Sequence, residues 1–396
     1  MVLLCIAFGI LASAVGDELS IPGRWPMDMA STLDKKAVVI VGGPAMGGGG
    51  KLDLVDIDTF KILKTADLPD HQSASSVVIV PYKASARGAA VVAMDTQMIG
   101  KPDAIYMVSL EDSSFGSMIW TWAPPRDHGH LFTDMNAAVA TDASGKYIYL
   151  GSGSSKNVDI RRADAYNNRW WLHVLDITGS GPQLVQTVEL PSYTAKSYYS
   201  GFGVFPSPDG SHVLVNSNMA GVDGSPIVLV ENAASTTHAV RNITTLHKGV
   251  LSFVNVLAWD AEGKGFYADY SFVNSDKTKM TQVHIHSDLH GNVTASAEPS
   301  ALATRVEHEY YGKGYVTGET VFYPTYSSFS TVQGLVAAFG TADVADQSSN
   351  EHVAFSYWPK AVTVAGGKLW VAWQSMDKAT VNRYSLAVDP KSHIVV

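Results

Sequence analysis

Apolar and polar positions along this chain fall into short alternating runs divided by turns rich in Gly, Asp, Ser and Pro. A first run, a Gly/Asp turn and a second apolar run recur from one end to the other. The clearest copies are Asn136–Leu150, Phe202–Val215 and Val254–Tyr267. Looser copies lie at Met29–Val41, Ser75–Met94, Tyr311–Tyr323 and Lys360–Trp373, which makes seven. A third alternating run follows in most of them, as at Leu52–Ile57, Ile105–Leu110, Trp171–Ile177, Ile227–Val230 and Arg383–Val388. A fourth is visible at Phe60–Leu68 and Leu184–Leu190. A period of two sends neighbouring side chains to opposite faces of a sheet, so these runs predict strands. Asp209-Gly210 and the turns Asp142–Gly145 and Asp260–Gly263 are hairpin chemistry, because glycine adopts positive φ without steric cost. No stretch beyond about ten residues carries a helical stripe.

Four antiparallel strands repeated at intervals of roughly fifty residues describe the blade of a propeller. The expectation is an all-β chain: a single seven-bladed β-propeller of four-stranded antiparallel blades, spanning residues 18–396 with no linker. Six or eight blades would fit most of the same spacing. Ring closure is expected from a strand within residues 18–45 pairing with the last blade, Lys360–Val396. With Ser207-Pro-Asp-Gly210 and the later Val174-Leu-Asp-Ile177, the chain resembles the YVTN and lactonase-like seven-bladed propellers. That resemblance rests on strand and turn residues, and it implies a fold and no activity.

Residues 1–14 form one apolar stretch ending in Ala12-Ser13-Ala14. It is shorter than the ~20 residues a spanning helix takes, and its small-residue exit suits a cleaved secretory signal, although no Lys or Arg precedes it. The protein is therefore expected to be secreted, without a membrane span. The single cysteine, Cys5, lies inside that segment, so the remaining chain can build no disulfide, cysteine nucleophile or thiolate metal site. Asn242-Ile-Thr244 and Asn292-Val-Thr294 match the N-glycosylation acceptor pattern. A net charge of −9 with no basic cluster argues against nucleic-acid binding. A monomer is expected.

The candidate chemistry collects on the segments that lead from the outer strand of one blade to the inner strand of the next. Six of the 13 histidines fall there, although turn geometry does not select histidine. His71, His128, His130, Asp134, His247 and His308 are the candidate acid/base groups. Asp28, Tyr198, Tyr199, Asn255, Tyr310, Tyr311, His352, Tyr357 and Trp358 are the candidate substrate contacts. In a closed ring these positions converge on one mouth of the central channel. Asp127-His128-Gly129-His130 is the sharpest cluster: two imidazoles two residues apart can share a divalent metal or exchange a proton, and each can also be an ordinary loop residue. No cofactor is required by the pattern, and a metal at His128 and His130 stays open. His284 and His286 lie on a third-strand run, where packing is the simpler reading. The insertion Ser154–Arg169 with Arg161, Arg162 and Asp164 reads as a solvated excursion, with a flap over an anionic ligand as the alternative.

Several matches fail. Gly42–Lys51 has Ala45 and Leu52 where a phosphate loop needs Gly and Ser/Thr. Gly151–Ser155 lacks the strand–turn–helix setting of a nucleophile elbow. Asp53, Asp56 and Asp58 lack the spacing of a calcium loop. The first functional reading is an acid/base enzyme on a small, partly apolar molecule, performing elimination, dehydration or cyclisation as in secondary-metabolite or terpenoid toxin biosynthesis. The alternatives are a secreted polysaccharide lyase-type glycan enzyme, which the scarcity of Arg near the loops disfavours, and a non-catalytic ligand- or protein-binding propeller.

Overall fold

The computed structural model describes residues 17–21, 24–44, 50–68, 73–95, 104–125, 128, 130–131, 139–154, 166–167, 169–191, 194–195, 202–217, 227–243, 252–273, 280–297, 310–311, 314–317, 320–326, 334–340, 351–355, 358–374 and 379–385. The seven sequence repeats become the inner hairpins of seven antiparallel sheets. Blade 1 runs through Arg24–Ser31, Ala37–Pro44, Lys51–Asp56 and Ile62–Asp67, from innermost to outermost strand. Blade 2 is Ser73–Val80, Ala89–Asp95, Ala104–Ser109 and Met118–Trp122. In blade 3 the innermost strand is in two pieces, His130–Leu131 and Val139–Thr141. Both pair with Tyr147–Ser154, which leads to Arg169–Asp176 and Gln183–Leu190. Blade 4 is Phe202–Pro206, His212–Ser217, Ile227–Glu231 and Ala239–Ile243; blade 5 is Ser252–Trp259, Gly265–Val273, Met280–Asp288 and Val293–Ala297. Blade 6 again has a divided inner strand, Tyr310–Tyr311 and Tyr315–Thr317, before Thr320–Tyr326, Gly334–Gly340 and Glu351–Phe355. Blade 7 is Trp358–Ala365, Lys368–Gln374 and Ala379–Ser385, completed by Asp17–Ser20 from the other end of the chain. Its third strand starts before Arg383, where the sequence pattern set it. A separate two-stranded pairing, Tyr166–Asn167 with Thr194–Ala195, joins the insertion of blade 3 to the segment leading into blade 4.

Each blade contacts the next and blade 7 contacts blade 1, so the ring closes. The core accordingly lies between blades. Val39, Val41 and Leu54 of blade 1 pack with Val77, Val92 and Tyr106 of blade 2. Tyr149 and Leu172 of blade 3 pack with Val204 and Val215 of blade 4. A third strand covered on both faces needs no alternation of polarity, and Ala104–Ser109 is buried at every position. The outermost strand meets water on one side, and Ile62–Asp67 alternates half-buried with exposed.

The inner hairpin turns stack around one end of the ring. Gly145 sits at φ +64° and Gly210 at φ +71°, in turns closed by Gly145 N–H to Asp142 O and Gly210 N–H to Ser207 O. A Cβ on Gly145 would run into the Pro81 ring of blade 2, and one on Gly210 would lie 2.9 Å from Asp142 Oδ2 of blade 3. Glycine is required there twice over, by backbone angle and by the neighbouring blade.

Closure is fastened by Arg383, whose Cα is in register with Asp17 of the N-terminal strand. Its guanidinium donates to the Asp17 carboxylate and to the backbone carbonyls of Ile57 and Asp58 in blade 1. It also lies 4.6 Å from the Phe60 ring centroid and 6.0 Å from that of Trp370. One buried side chain thus ties the chain's two ends to the first blade.

Candidate functional site

The strands nearest the ring axis are irregular. Register shifts fall at Met27 in blade 1, Ser75 in blade 2, Leu257 in blade 5 and Lys360 in blade 7, each adding one residue to an innermost strand. A bulge takes a backbone N–H out of the ladder and re-aims nearby side chains. Two such N–H groups are caught by a polar side chain from the preceding blade. Val77 N–H donates to Asp28 Oδ2 at 2.8 Å, while Asp28 Oδ1 accepts from Met29 N–H at 2.8 Å. Val256 N–H donates to Asn216 Oδ1 at 2.9 Å. Asp28, a candidate substrate contact, is therefore buried and engaged in joining blades 1 and 2.

Asn255 is in a different position. It is 1% exposed on the innermost strand of blade 5, and neither its amide nitrogen nor its amide oxygen has a hydrogen-bond partner. Val256 belongs to the apolar core shared with blade 4, and the Leu257 carbonyl accepts from Gly314 N–H of blade 6 at 3.2 Å. Alternation therefore sets Asn255 on the side of its strand away from blade 4, at the seam with the divided inner strand of blade 6. Lys360 is the extra residue of the blade 7 bulge. Its side chain is half-buried, and loss of solvent pushes its ammonium down to about 8.

A second polar group lies between blades 2 and 3. The His128 ring stacks on Trp171, centroids 4.5 Å apart, and on His173 at 5.4 Å, while Trp122 of blade 2 meets His173 edge-on at 5.4 Å. Ser152 Oγ donates to the His128 carbonyl at 3.1 Å and lies 2.7 Å from His173 Nε2. The single serine proton is used on that carbonyl, so the proton between Ser152 and His173 belongs to Nε2. Nδ1 is then the acceptor for the Thr187 hydroxyl at 3.2 Å. Burial first, and the neighbouring His128 second, push His173 down to about 4, so it is neutral at physiological pH. The chain of bonds runs from the loop through the second, third and outermost strands of blade 3. It holds both imidazoles in packed positions.

His286 also has partners. Its Nδ1 meets the Thr294 hydroxyl, its Nε2 lies 3.2 Å from Asp260 Oδ2, and its ring packs on Tyr267. For His286 this matches the packing reading; the side chain of His284 lies outside what is described. Asn242, on the outermost strand of blade 4, and Asn292, in the last turn of blade 5, are both exposed. Of the other candidates, His71, Asp134, Tyr198, Tyr199, His247, His308 and Tyr357 lie outside the described residues. His130, Tyr310, Tyr311, His352 and Trp358 are described only by their strand positions, the first three in the divided inner strands of blades 3 and 6. Among the described residues no group of three or more His, Asp or Glu side chains is arranged to hold a metal ion, and no helix is long and apolar enough to cross a membrane.

Sequence reasoning passed over Lys360, His173, Ser152 and Asn216. The available signal was a polar residue inside an otherwise apolar run, as His173 stands within Trp171–Ile177. The partner that explains it lies on another strand.

No protein-family model and no curated protein matches the chain. Solved structures do. The chain is similar to Kuenenia stuttgartiensis hydrazine synthase, with TM-score 0.59 and 13% identity over 94% of this chain and 99% of that one. It is also similar to the RRP9 WD40 repeats, with TM-score 0.57 and 9% identity over 94% and 98% of the two chains. For U3-55K the TM-score is 0.58 and the identity 8%, over 94% and 99%. At such identities the likeness concerns the fold. The chain is a β-propeller.

Proposed function

We propose that this propeller binds a small, partly apolar molecule at its central channel, with Asn255 supplying the hydrogen bonds that orient it. The observation that carries this reading is the unpaired Asn255 amide. Leaving a buried polar group without a partner costs about 1–3 kcal/mol, and a ligand offering both a donor and an acceptor removes that cost. Tyr149 also buries an unpaired hydroxyl, but it lies on the second strand of blade 3, in the apolar core between blades 3 and 4. Acid/base chemistry on the ligand, by elimination, dehydration or cyclisation, would draw on the candidate histidines His71, His130, His247 and His308. A non-catalytic binder is the second reading, and one observation favours it: His128, the central residue of the sharpest loop cluster, stacks on Trp171 and His173. The likeness of the turn motifs to the YVTN and lactonase-like propellers belongs to this proposal too. So does secretion with glycans at Asn242 and Asn292, for which both side chains are exposed. A mature amino terminus near Val15 and a mass loss on glycan removal would support it; retention of Met1 with no mass change would count against it.

The test compares the native protein with Asn255→Leu in thermal melts. The panel comprises terpenoid alcohols and ketones in one arm and uronate oligosaccharides in the other. Without ligand, the leucine variant is expected to be as stable as the native protein or more so, because the unpaired amide is gone. With ligand, compounds that raise the native melting temperature should leave the variant unmoved. A variant destabilised by about 1–3 kcal/mol without ligand would mean that a bound water already satisfies Asn255, and the reading would fall.

A further inference from the structure

We propose that Asp269 is the proton-abstracting base of a side pocket between blades 5 and 6, that His284 positions it, and that the molecules it serves are ketones and aldehydes with an α-hydrogen. This rests on the ligand reading above and names the chemistry done on the molecule that Asn255 holds. Blade 5 has two unlike faces. Val256, Phe266, Ala268 and Ile285, from its first three strands, belong to the apolar core shared with blade 4. Their chain neighbours take the opposite face, toward blade 6. There Asn255 stands directly opposite Asp269, and Asp269 directly opposite His284. Beside that row, Ser271 stands opposite Gln282. Directly opposite residues of antiparallel strands share a face, with Cβ atoms about 4.5–5.5 Å apart. Tyr267 and His286, the next opposite pair on this face, have ring centroids 4.9 Å apart. Strands lie about 4.8 Å apart, so the row Asn255–Asp269–His284 runs about 10 Å outward from the ring axis.

A second observation points into the same seam. Asn255 is 1% exposed, lies on this face, and has no partner for either amide atom. Blade 6 is irregular at that level. A Cβ on Gly314 would lie 2.9 Å from Leu257 Cβ, so the two blades touch closely there. Both inner strands run toward the hairpin turns, and Asn255, two residues before Leu257, lies level with the division of the blade 6 strand. Tyr311 pairs with Thr325 and Tyr315 with Phe322, while Pro324, with no N–H to donate, falls in the gap. The other ionisable groups on this face of blade 5 are Tyr267, His286 and Asp288. Tyr267 packs on His286, which also meets Asp260, and Asp288 accepts backbone N–H bonds within its own turn. The blade 6 strands packed on Ser252–Trp259 add Tyr315, Tyr323 and Tyr326. In the step itself, the Asn255 amide N–H donates to the carbonyl oxygen and Asp269 takes the α-proton. The C–H electron pair becomes the C=C of an enolate, whose negative charge settles on the oxygen held by Asn255. Return of a proton to carbon completes the exchange with no oxidation or reduction. A cationic His284 opposite Asp269 favours the ionised carboxylate.

The probe is trans-2-decalone in heavy water, with deuterium at its α-carbons read by mass spectrometry. The native protein is expected to exchange it at least about tenfold faster than Asp269→Asn, a change of nearly equal shape, at unchanged circular dichroism. His284→Gln should move the midpoint of the pH–rate profile up by about one pH unit, because the carboxylate loses its cation. Exchange no faster with the native protein than with Asp269→Asn would overturn the proposal, while the melts of Asn255→Leu judge the binding reading separately. An unmoved midpoint in His284→Gln would overturn it as well. Asn255→Leu should lose several-fold in rate. Equal rates in the native protein and Asn255→Leu would uphold Asp269 as the base and remove Asn255 from the site.

Discussion

Truncating Arg383 to alanine removes interactions of unequal worth, and the structure separates them. On the buried side, the carbonyls of Ile57 and Asp58 lose a charged donor, and the guanidinium leaves the faces of Phe60 and Trp370. A hydrogen bond to a charged group is worth about 1.5–3 kcal/mol, and a desolvated cation–π contact about 1–2 kcal/mol. These terms overlap, because one side chain makes them all, so a net loss of roughly 2–4 kcal/mol is expected. On the exposed side, the Asp17 side chain is 56% accessible, and an ion pair with one solvated partner contributes under about 1 kcal/mol. The perturbations are therefore Arg383→Ala and Asp17→Ala, measured by urea unfolding at pH 7. The midpoint for Arg383→Ala should fall markedly at unchanged slope, and that for Asp17→Ala only slightly. The bond from Arg383 holds the Asp17 carboxyl below its ordinary 3.8. Its small contribution is therefore present above that value and fades as acid protonates the folded form. Equal losses in the two variants, or none in Arg383→Ala, would show that the ring does not depend on this clasp.

The turn glycines divide by what surrounds them. Gly145→Ala must place a methyl against Pro81 at φ +64°, whereas Gly367→Ala, at φ +69°, meets nothing within 4 Å. The first should cost roughly 2–4 kcal/mol and the second about 1–2 kcal/mol in chemical denaturation, since only the backbone penalty is shared; equal costs would contradict the stacked-turn geometry. His173 is held near 4 when folded and returns to its ordinary 6.5 when unfolded. The unfolded chain thus binds more protons between those values, and stability should fall by roughly 3 kcal/mol as pH drops from above 6.5 to below 4. His173→Gln should flatten that part of the stability–pH curve, and an unchanged slope would mean the imidazole is not buried as described.

Alternating runs and Gly/Asp turns suffice, from sequence alone, to reveal the strands, the seven repeats and the closure of the last blade by a strand near residue 18. These are local properties: a period of two and a positive φ are written in adjacent residues. Even the extent of an inner hairpin such as Phe202–Val215 follows from its own apolar pattern. The tasks of individual polar residues are another matter. Asp28 and Asn255 both sit on inner strands and looked alike as candidate ligand contacts, yet a neighbouring blade occupies the first and leaves the second unpaired. His128 looked like a free loop imidazole until Trp171 and His173, more than forty positions along the chain, came to lie against it. Lys360 stands out only because a bulge on its strand and burial in the assembled ring alter its surroundings together. Hydrogen-bond satisfaction and desolvation depend on which strands become neighbours, and in a ring those neighbours come from distant parts of the chain.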